Sequence, residues 1–338
     1  MEKFLVNDGD VVYKICFLLP KNKNCGVHNY SEHLFEKISI VTPKGIKLNK
    51  VYFKNCNNPL YYFKLARKIS KVSDVIHLQH EFGLFGRFGI GFLFFMIGLR
   101  KKVIITFHEL HTGKVGLKEK LLIFPFSWKI RKVIVLSEYA AKRAKRFFPT
   151  NKIIMTGFGV TKKRSLQRTE KGLVVHLGLV RYNKNQLFTV KLAMENPKLN
   201  FVIAGGGDNE YYKEIVLKSK NIPNLKVTGF LSTKEYFRLI ARAEFVILPY
   251  LSVVQSAVFF DTIACGKKIL ASDLEPFKEY EAHGVIKTSP ILLDKFSQKL
   301  NSWKGPAQVK IIDTYLDQNN LLEVAKRNVI EYNTVLSE

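Results

Sequence analysis

Three segments in the second half of the chain carry residue types that together could hold a diphosphate. The first, Gly178 to Lys184 (GLVRYNK), follows a β-branched run and sets a tight turn, Arg181 and Lys184 at the start of a helical pattern. Helix N-termini offer unpaired N–H groups and positive potential, and Arg and Lys add charge-assisted hydrogen bonds. The second, Phe201 to Gly207 (FVIAGGG), runs an apolar strand into Gly205, Gly206 and Gly207, which let backbone approach a ligand closely. It lacks the GxGxxG spacing, and a polar turn at 221–224 stands where a dinucleotide fold would end a strand in an acid. The third begins at Pro249-Tyr250 and continues through Gln255, Ser256, Ala257 and Val258 to Asp261. Ser256 is a good N-cap, the helix opening at small Ala257 could meet a phosphate oxygen, and the Asp261 carboxylate could accept hydrogen bonds from a ribose diol.

The first half supplies histidines. His77 sits within an apolar strand and reads as a core residue, whereas His80 and His108 follow strands, where a ligand cleft would open. A cleft histidine can act as a general base. Glu81, next to His80, could orient an acceptor hydroxyl, and His111 reads as surface. Asp8-Gly9-Asp10 matches a metal-binding DxD in letters, but it precedes the first strand rather than ending one in mid-chain. It reads as a polar turn, and no metal or other cofactor is expected.

Strands alternating with helices must position these groups. Val11–Leu19, Val75–Leu78, Val103–Phe107, Val133–Leu136 and Ile153–Met155 read as strands of the first half. Leu173–Leu177, Phe201–Ala204, Leu225–Thr228, Phe245–Leu248 and Lys268–Ala271 read as strands of the second. Helical patterns at Val27–Ile40, Glu138–Phe148, Asn185–Asn196, Tyr211–Lys220, Thr233–Ala243 and Ala257–Cys265 lie between them. This is the α/β signature of two Rossmann-like parallel-sheet domains with a cleft between them. The expected bounds are 1–165, 166–316 and a C-terminal helical tail, 317–338, packing back on the first domain, with the Lys/Arg/Thr-rich stretch Lys162–Lys171 as the boundary.

The chain has 338 residues, 47% of them hydrophobic, enough for two cores. Its net charge of +26 is uneven: residues 1–160 hold 28 Lys/Arg against 10 Asp/Glu, and the remainder 26 against 18. Such charge favours an anionic partner, such as a lipid headgroup surface. An aromatic–basic RNA-binding signature is missing, which counts against nucleic acid. Four cysteines without CxxC spacing argue against zinc or a disulfide framework. The apolar run Phe88–Leu99 is too short to span a bilayer, so a buried or membrane-surface helix is expected in a cytoplasmic chain.

In order along the chain, these motifs resemble glycosyltransferase family 4, of GT-B fold. Asp74 to Gly86 (DVIHLQHEFGLFG) is similar to that family's DVVHxQHExGLFG signature, Thr106-Phe107-His108 to its TxH strand end, and Val135 to Glu138 (VLSE) to its VxSE. Gly26-Val27 stands at its glycine-bearing loop after the first strand. Thr228-Gly229-Phe230-Leu231, Pro249-Tyr250, Gln255-Ser256-Ala257 and Asp261 to Gly266 (DTIACG) continue the match. There are departures: Val253 replaces the first of two glutamates and Asp261 the second, while Asn185 and Ala257 each stand for a glycine and Lys268 for a proline.

The resemblance implies a metal-independent, retaining transfer of a hexose-type sugar from a nucleotide-sugar donor to a glycan or lipid-linked hydroxyl. Arg181 and Lys184 would bind the donor diphosphate, with Gly178, Gly205, Gly206 and Tyr250 around it. Gln255 to Val258 would meet phosphates and sugar, Asp261 the ribose, and Phe230 and Leu231 the base. His108 would orient the donor sugar, and Gly26, Val27, His80 and Glu81 the acceptor. The alternatives are a nucleotide-sugar 2-epimerase on the same scaffold, and a non-catalytic basic module for membranes or nucleic acid.

Overall fold

The computed structural model describes residues 12–22, 26–110, 113–163, 167–207, 209–305 and 307–338. The Asp8–Asp10 turn, Cys25, His111 and positions 164–166 of the basic boundary stretch lie outside the described residues. The chain divides into two compact units, Met1–Gly159 with Asn319–Glu338, and Val160–Gln318.

The first unit runs β1 (Tyr13–Pro20), α1 (Gly26–Val41), β2 (Ile46–Phe53), α2 (Pro59–Ser70), β3 (Val75–His80), α3 (Ile90–Gly98), β4 (Lys102–Phe107), α4 (Gly113–Ile123), β5 (Ile130–Val135), α5 (Glu138–Ala144) and β6 (Ile153–Met155). The strands pair in parallel in the order β2-β1-β3-β4-β5-β6. Parallel pairing needs crossover connections, and the helices that supply them cover both faces. Every residue of β3 is buried. Alternation along β1 divides the core: Cys16 and Leu18 face one aromatic-rich cluster with Phe85, Phe92 and Phe107, while Ile15, Phe17 and Leu19 face a second with Leu34 and Ile38. Phe92, Phe95 and Met96 are buried, so the apolar run at 88–99 is largely core. Among the described residues no helix is long and apolar enough to cross a membrane.

The second unit runs β7 (Leu173–Leu177), α6 (Gln186–Glu195), β8 (Asn200–Ala204), α7 (Glu210–Ser219), β9 (Leu225–Val227), α8 (Thr233–Arg242), β10 (Phe245–Leu248), α9 (Ala257–Ala264), β11 (Lys268–Ser272), α10 (Glu275–Ala282), β12 (Lys287–Ser289), α11 (Leu293–Ser302) and α12 (Val309–Gln318). Its strands are parallel too, ordered β12-β11-β10-β7-β8-β9. Strand order reverses between β7 and β10 here and between β1 and β3 in the first sheet. In open α/β sheets ligands bind beyond the strand C-termini at such switch points.

The last helix, α13 (Leu321–Ser337), belongs to the first unit, where Val324, Ala325, Tyr332 and Val335 join the cluster containing Ile15 and Phe17. Tyr332 is fully buried, and its hydroxyl lies 2.7 Å from Nδ1 of buried His77. Tyr332→Ala is expected to cost about 3–5 kcal/mol through the cavity it opens. Tyr332→Phe should cost about 1–3 kcal/mol by orphaning the imidazole nitrogen. Urea unfolding of the purified variants measures both, and a Tyr332→Phe variant as stable as the parent would mean the hydroxyl contributes nothing.

Candidate functional site

At the switch point of the second sheet, the chain leaves β7 through Gly178, whose φ of +106° suits glycine. The Gly178 N–H donates to the Ala204 carbonyl (2.9 Å) and the Val180 N–H to the Gly206 carbonyl (3.1 Å), so this turn lies against the one after β8. The contact leaves no room for side chains. A Cβ on Gly205 would stand 1.9 Å from the Gly178 oxygen, and one on Gly206 would stand 2.5 Å from the Phe230 ring.

Arg181 opens a single 3-10 turn, Tyr182–Lys184, that ends at Asn185 in the left-handed region (φ 59°). Asparagine tolerates this conformation, and its Nδ2 donates to the Pro249 carbonyl (3.2 Å). The Leu251 N–H donates to the Asn183 carbonyl (2.8 Å). The β7 turn is thereby tied to the loop after β10 as well.

Lys184 is half-buried. A Cβ at Gly178 would stand 2.7 Å from its Nζ and 3.3 Å from Val258 Cγ2, and Nζ itself lies 5.3 Å from the centroid of the buried Tyr250 ring. Ser256 caps α9, accepting from the Phe259 N–H (3.4 Å), and exposed Ala257 begins it. The structure thus brings Gly178, Lys184, Tyr250 and Val258 together at the first turn of α9, where free N–H groups and the helix dipole favour an anion. Among the described residues, Gln255 Nε2 and the Tyr250 hydroxyl are buried without a hydrogen-bond partner. Arg181 is exposed on the same turn, and Phe230 is 71% exposed beside Gly206. Leu231 lines a cavity with Thr228, Arg238 and Leu239.

Two residues here escape sequence reasoning. Tyr236 of α8 donates its hydroxyl to Asp261 Oδ2 (3.1 Å), and burial together with that carboxylate pushes the phenol well above its ordinary pKa. Tyr236 lies 25 residues from Asp261 and on another helix, so nothing local in the sequence signals the pair. His176, in β7, is fully buried beneath the turn and bonds Thr189 Oγ1 through Nδ1 (2.7 Å). Burial, helped by nearby Lys184, lowers its pKa to about 3.

In the first unit His108 follows β4, its N–H donating to the His80 carbonyl (2.9 Å). Its Nε2 lies 3.0 Å from Gln79 Oε1, so Nε2 carries the proton and Nδ1 keeps the lone pair. The Gln79 amide nitrogen reaches His77 Nε2 (3.1 Å) and Thr106 Oγ1 (3.4 Å), Thr106 Oγ1 lies 2.8 Å from His77 Nε2, and His77 Nδ1 meets the Tyr332 hydroxyl. This buried chain runs from α13 to His108. Glu81, half-buried, follows directly after β3.

Two acceptor assignments need correction. His80 is 0% exposed, ringed by Phe82, Phe85, Phe92 and Phe107, with both ring nitrogens unpartnered, so its side chain is aromatic core. The sequence places it at a strand end, but the chain continues over it through Phe82–Phe85. The Val27 side chain likewise packs in the core, leaving only its backbone and exposed Gly26 at the start of α1. Among the described residues no three His, Cys, Asp or Glu side chains gather as metal ligands.

Burial holds His77, His108 and His176 at about 3, against about 6.5 when unfolded. Below about 6.5 the unfolded chain binds more protons than the native one, so stability is full above that pH and falls as pH drops toward 3. Each histidine contributes up to about 1.4 kcal/mol per pH unit in that window. Unfolding midpoints recorded from neutral to acid pH check this, and His176→Gln should flatten the second unit's decline.

A family model described as "Glycosyl transferases group 1" matches residues 159–328. No curated protein sequence matches the chain. Among solved structures, Anabaena HepE in complex with UDP and glucose is 14% identical with a TM-score of 0.72, covering 95% of this chain and 99% of that one. A glycosyltransferase from Rickettsia africae is 14% identical at a TM-score of 0.74 (96% and 98%). The UDP-GlcNAc 2-epimerase of Neisseria meningitidis is 10% identical at 0.59 (96% and 100%). These likenesses show the GT-B fold of two Rossmann-like domains. With the family model spanning half of the sequence, the chain belongs to the group 1 glycosyl transferases and is a glycosyltransferase.

Proposed function

We propose that the protein moves a hexose-type sugar from a nucleotide-sugar donor to a glycan or lipid-linked hydroxyl, with retention and without a metal, as in glycosyltransferase family 4. The enzyme would work in the cytoplasm at an anionic membrane surface. The observation that carries the donor reading is the convergence of Gly178, Lys184 Nζ and Val258 on the first turn of α9 at a topological switch point. A diphosphate fits that cradle. The UDP in the Anabaena HepE structure and the UDP-GlcNAc in the Neisseria epimerase structure, both of this fold, support a nucleotide-sugar there.

In the proposed reaction the C1–O bond to the diphosphate breaks as the acceptor oxygen bonds C1 on the same face, and the acceptor proton passes to the departing phosphate oxygen. Lys184, Arg181 and the α9 N-terminus take up the negative charge that grows on the leaving group, which is where electrostatic stabilisation has most effect. The Tyr236-held carboxylate of Asp261 would accept from the ribose, exposed Phe230 would face the base with Leu231, and Gln255 and Tyr250 would offer the donor polar atoms that lack partners. His108 Nδ1 would accept from a sugar hydroxyl, and Glu81 would orient the acceptor.

Lys184→Ala and Arg181→Ala are each expected to lower kcat by about 10²–10³-fold, with unfolding midpoints unchanged. Near-normal turnover in both would overturn the diphosphate assignment. EDTA should leave turnover intact, and a loss restored by Mg²⁺ would overturn metal independence. The epimerase reading, kept open by the Neisseria likeness, predicts conversion of the donor when no acceptor is present, and incubation with donor alone separates the two. Tyr236→Phe should raise the donor KM several-fold with little change in kcat, because the ribose contact is made equally in ground and transition states.

A further inference from the structure

Among the exposed apolar residues of the first unit, four fall on one strip. Leu117, Leu121, Phe124 and Trp128 are 62%, 69%, 66% and 67% exposed. Their spacing marks one face of α4, carried on through the 3-10 turn Phe124–Phe126. The same segment closes on the core through Ile123, 0% exposed, before the chain enters β5 at buried Ile130.

A second element adds to the strip. Phe88 holds φ +62° and ψ 11°, a conformation unfavourable for a bulky side chain, and yet leaves its ring 59% exposed. Lys118 of α4 places its Nζ 4.0 Å from the centre of that ring, and the Arg87 guanidinium lies 5.1 Å from it. The Phe88 turn and α4 are therefore one patch. At its other end Lys129 is half-buried, its ammonium held by the Met96 and Leu99 carbonyls (2.8 Å each), so it braces Trp128; among the described residues the free cations of the rim are Arg87, Lys118 and Lys120, each exposed. From residue 87 to 131 the sequence holds nine Lys/Arg and two Asp/Glu.

We propose that this face, Phe88 with Leu117, Leu121, Phe124 and Trp128, docks on an anionic lipid bilayer. An apolar helical face rimmed by cations is what an interfacial helix presents to headgroups and acyl chains. Tryptophan favours the headgroup depth, and lysine and arginine stems lie along apolar surface while their charges reach the phosphates. Anionic lipid attracts the basic rim. A second copy would set this same basic rim against itself, at +26 per chain. The face lies on the membrane and does not cross it, since no described helix can span one. The inference rests on the membrane reading above and gives it a place on the molecule. Vesicle binding is measured without any sugar nucleotide, so it stands or falls separately from the donor assignment.

The test uses the full chain carrying Trp303→Phe, so that Trp128 is the sole tryptophan of the two in the sequence. It is mixed with vesicles of phosphatidylcholine, or of phosphatidylcholine with phosphatidylglycerol. The protein should float with the anionic vesicles and not the neutral ones, Trp128 emission should shift to the blue, and added salt should reverse both. Leu121→Glu with Phe124→Glu should lower vesicle affinity by at least about tenfold at an unchanged unfolding midpoint. Equal flotation of the variant and the parent, or absence of binding, overturns the proposal. So does a parent that sediments as a dimer and becomes a monomer on Leu121→Glu, which would assign the face to a second copy.

Discussion

Two backbone turns touching without side chains between them set the geometry of the candidate site in the second unit. The Gly178 oxygen occupies the volume that a Cβ at Gly205 would need, and the paired N–H contacts to Ala204 and Gly206 keep the turns in register. From this contact the chain has only a few residues to reach Lys184, so the cation cannot wander. The bonds from Leu251 to Asn183 and from Asn185 to Pro249 fix the other side of the same loop against β10. A preorganised charge costs little reorganisation when negative charge develops opposite it. His176 beneath stays neutral because of burial, so the positive potential comes from the rim, where a diphosphate could reach it.

The first unit depends on a different kind of constraint. Its central strands bury His77, Gln79 and Thr106 completely, and buried polar groups cost free energy unless partnered. They satisfy one another in a chain that ends on Tyr332 at one side and His108 at the other. This accounts for the place of the C-terminal helix in the first unit: α13 supplies both apolar cover for β1 and the hydroxyl that completes the network. The same bonds leave Nδ1 as the His108 nitrogen that keeps a lone pair.

The sequence made the central strands, their glycine turns and most flanking helices legible because each carries a local signal: β-branched runs, Gly at strand ends, Ser caps. It did not disclose β2, whose alternating IKLNKVYF pattern belongs to a half-exposed edge strand rather than a buried one. That Lys184, Gly178 and the α9 opening are neighbours was legible because backbone geometry confines them to the ends of adjacent strands. His80 was misread because strand-end position says nothing about which loop then folds over it. Here Phe82 and Phe85 do. Tyr236 and Gln79 were missed because a partner supplied by a distant element leaves no mark in local spacing.

The departures from the resembled family have physical counterparts in the fold. Asn185 stands for a glycine at a left-handed position, and asparagine is among the few residues that accept that conformation while its amide gains a bond to Pro249. Lys268 stands for a proline at the start of β11, where it is buried and its ammonium lies over the Phe245 ring (4.6 Å) and meets Glu244 (3.3 Å) and the Trp303 carbonyl (3.0 Å). That replacement therefore acts on the sheet and not on the site. Asp261 is one methylene shorter than glutamate, and a shorter side chain on a fixed helix holds its carboxylate nearer the backbone. The Tyr236 hydroxyl bonds it there, which restrains the carboxylate by a neighbour where glutamate would rely on reach. A carboxylate so held keeps its remaining lone pairs in fixed directions, so the ribose contact proposed for it would cost less in ordering than one made by a freely rotating side chain.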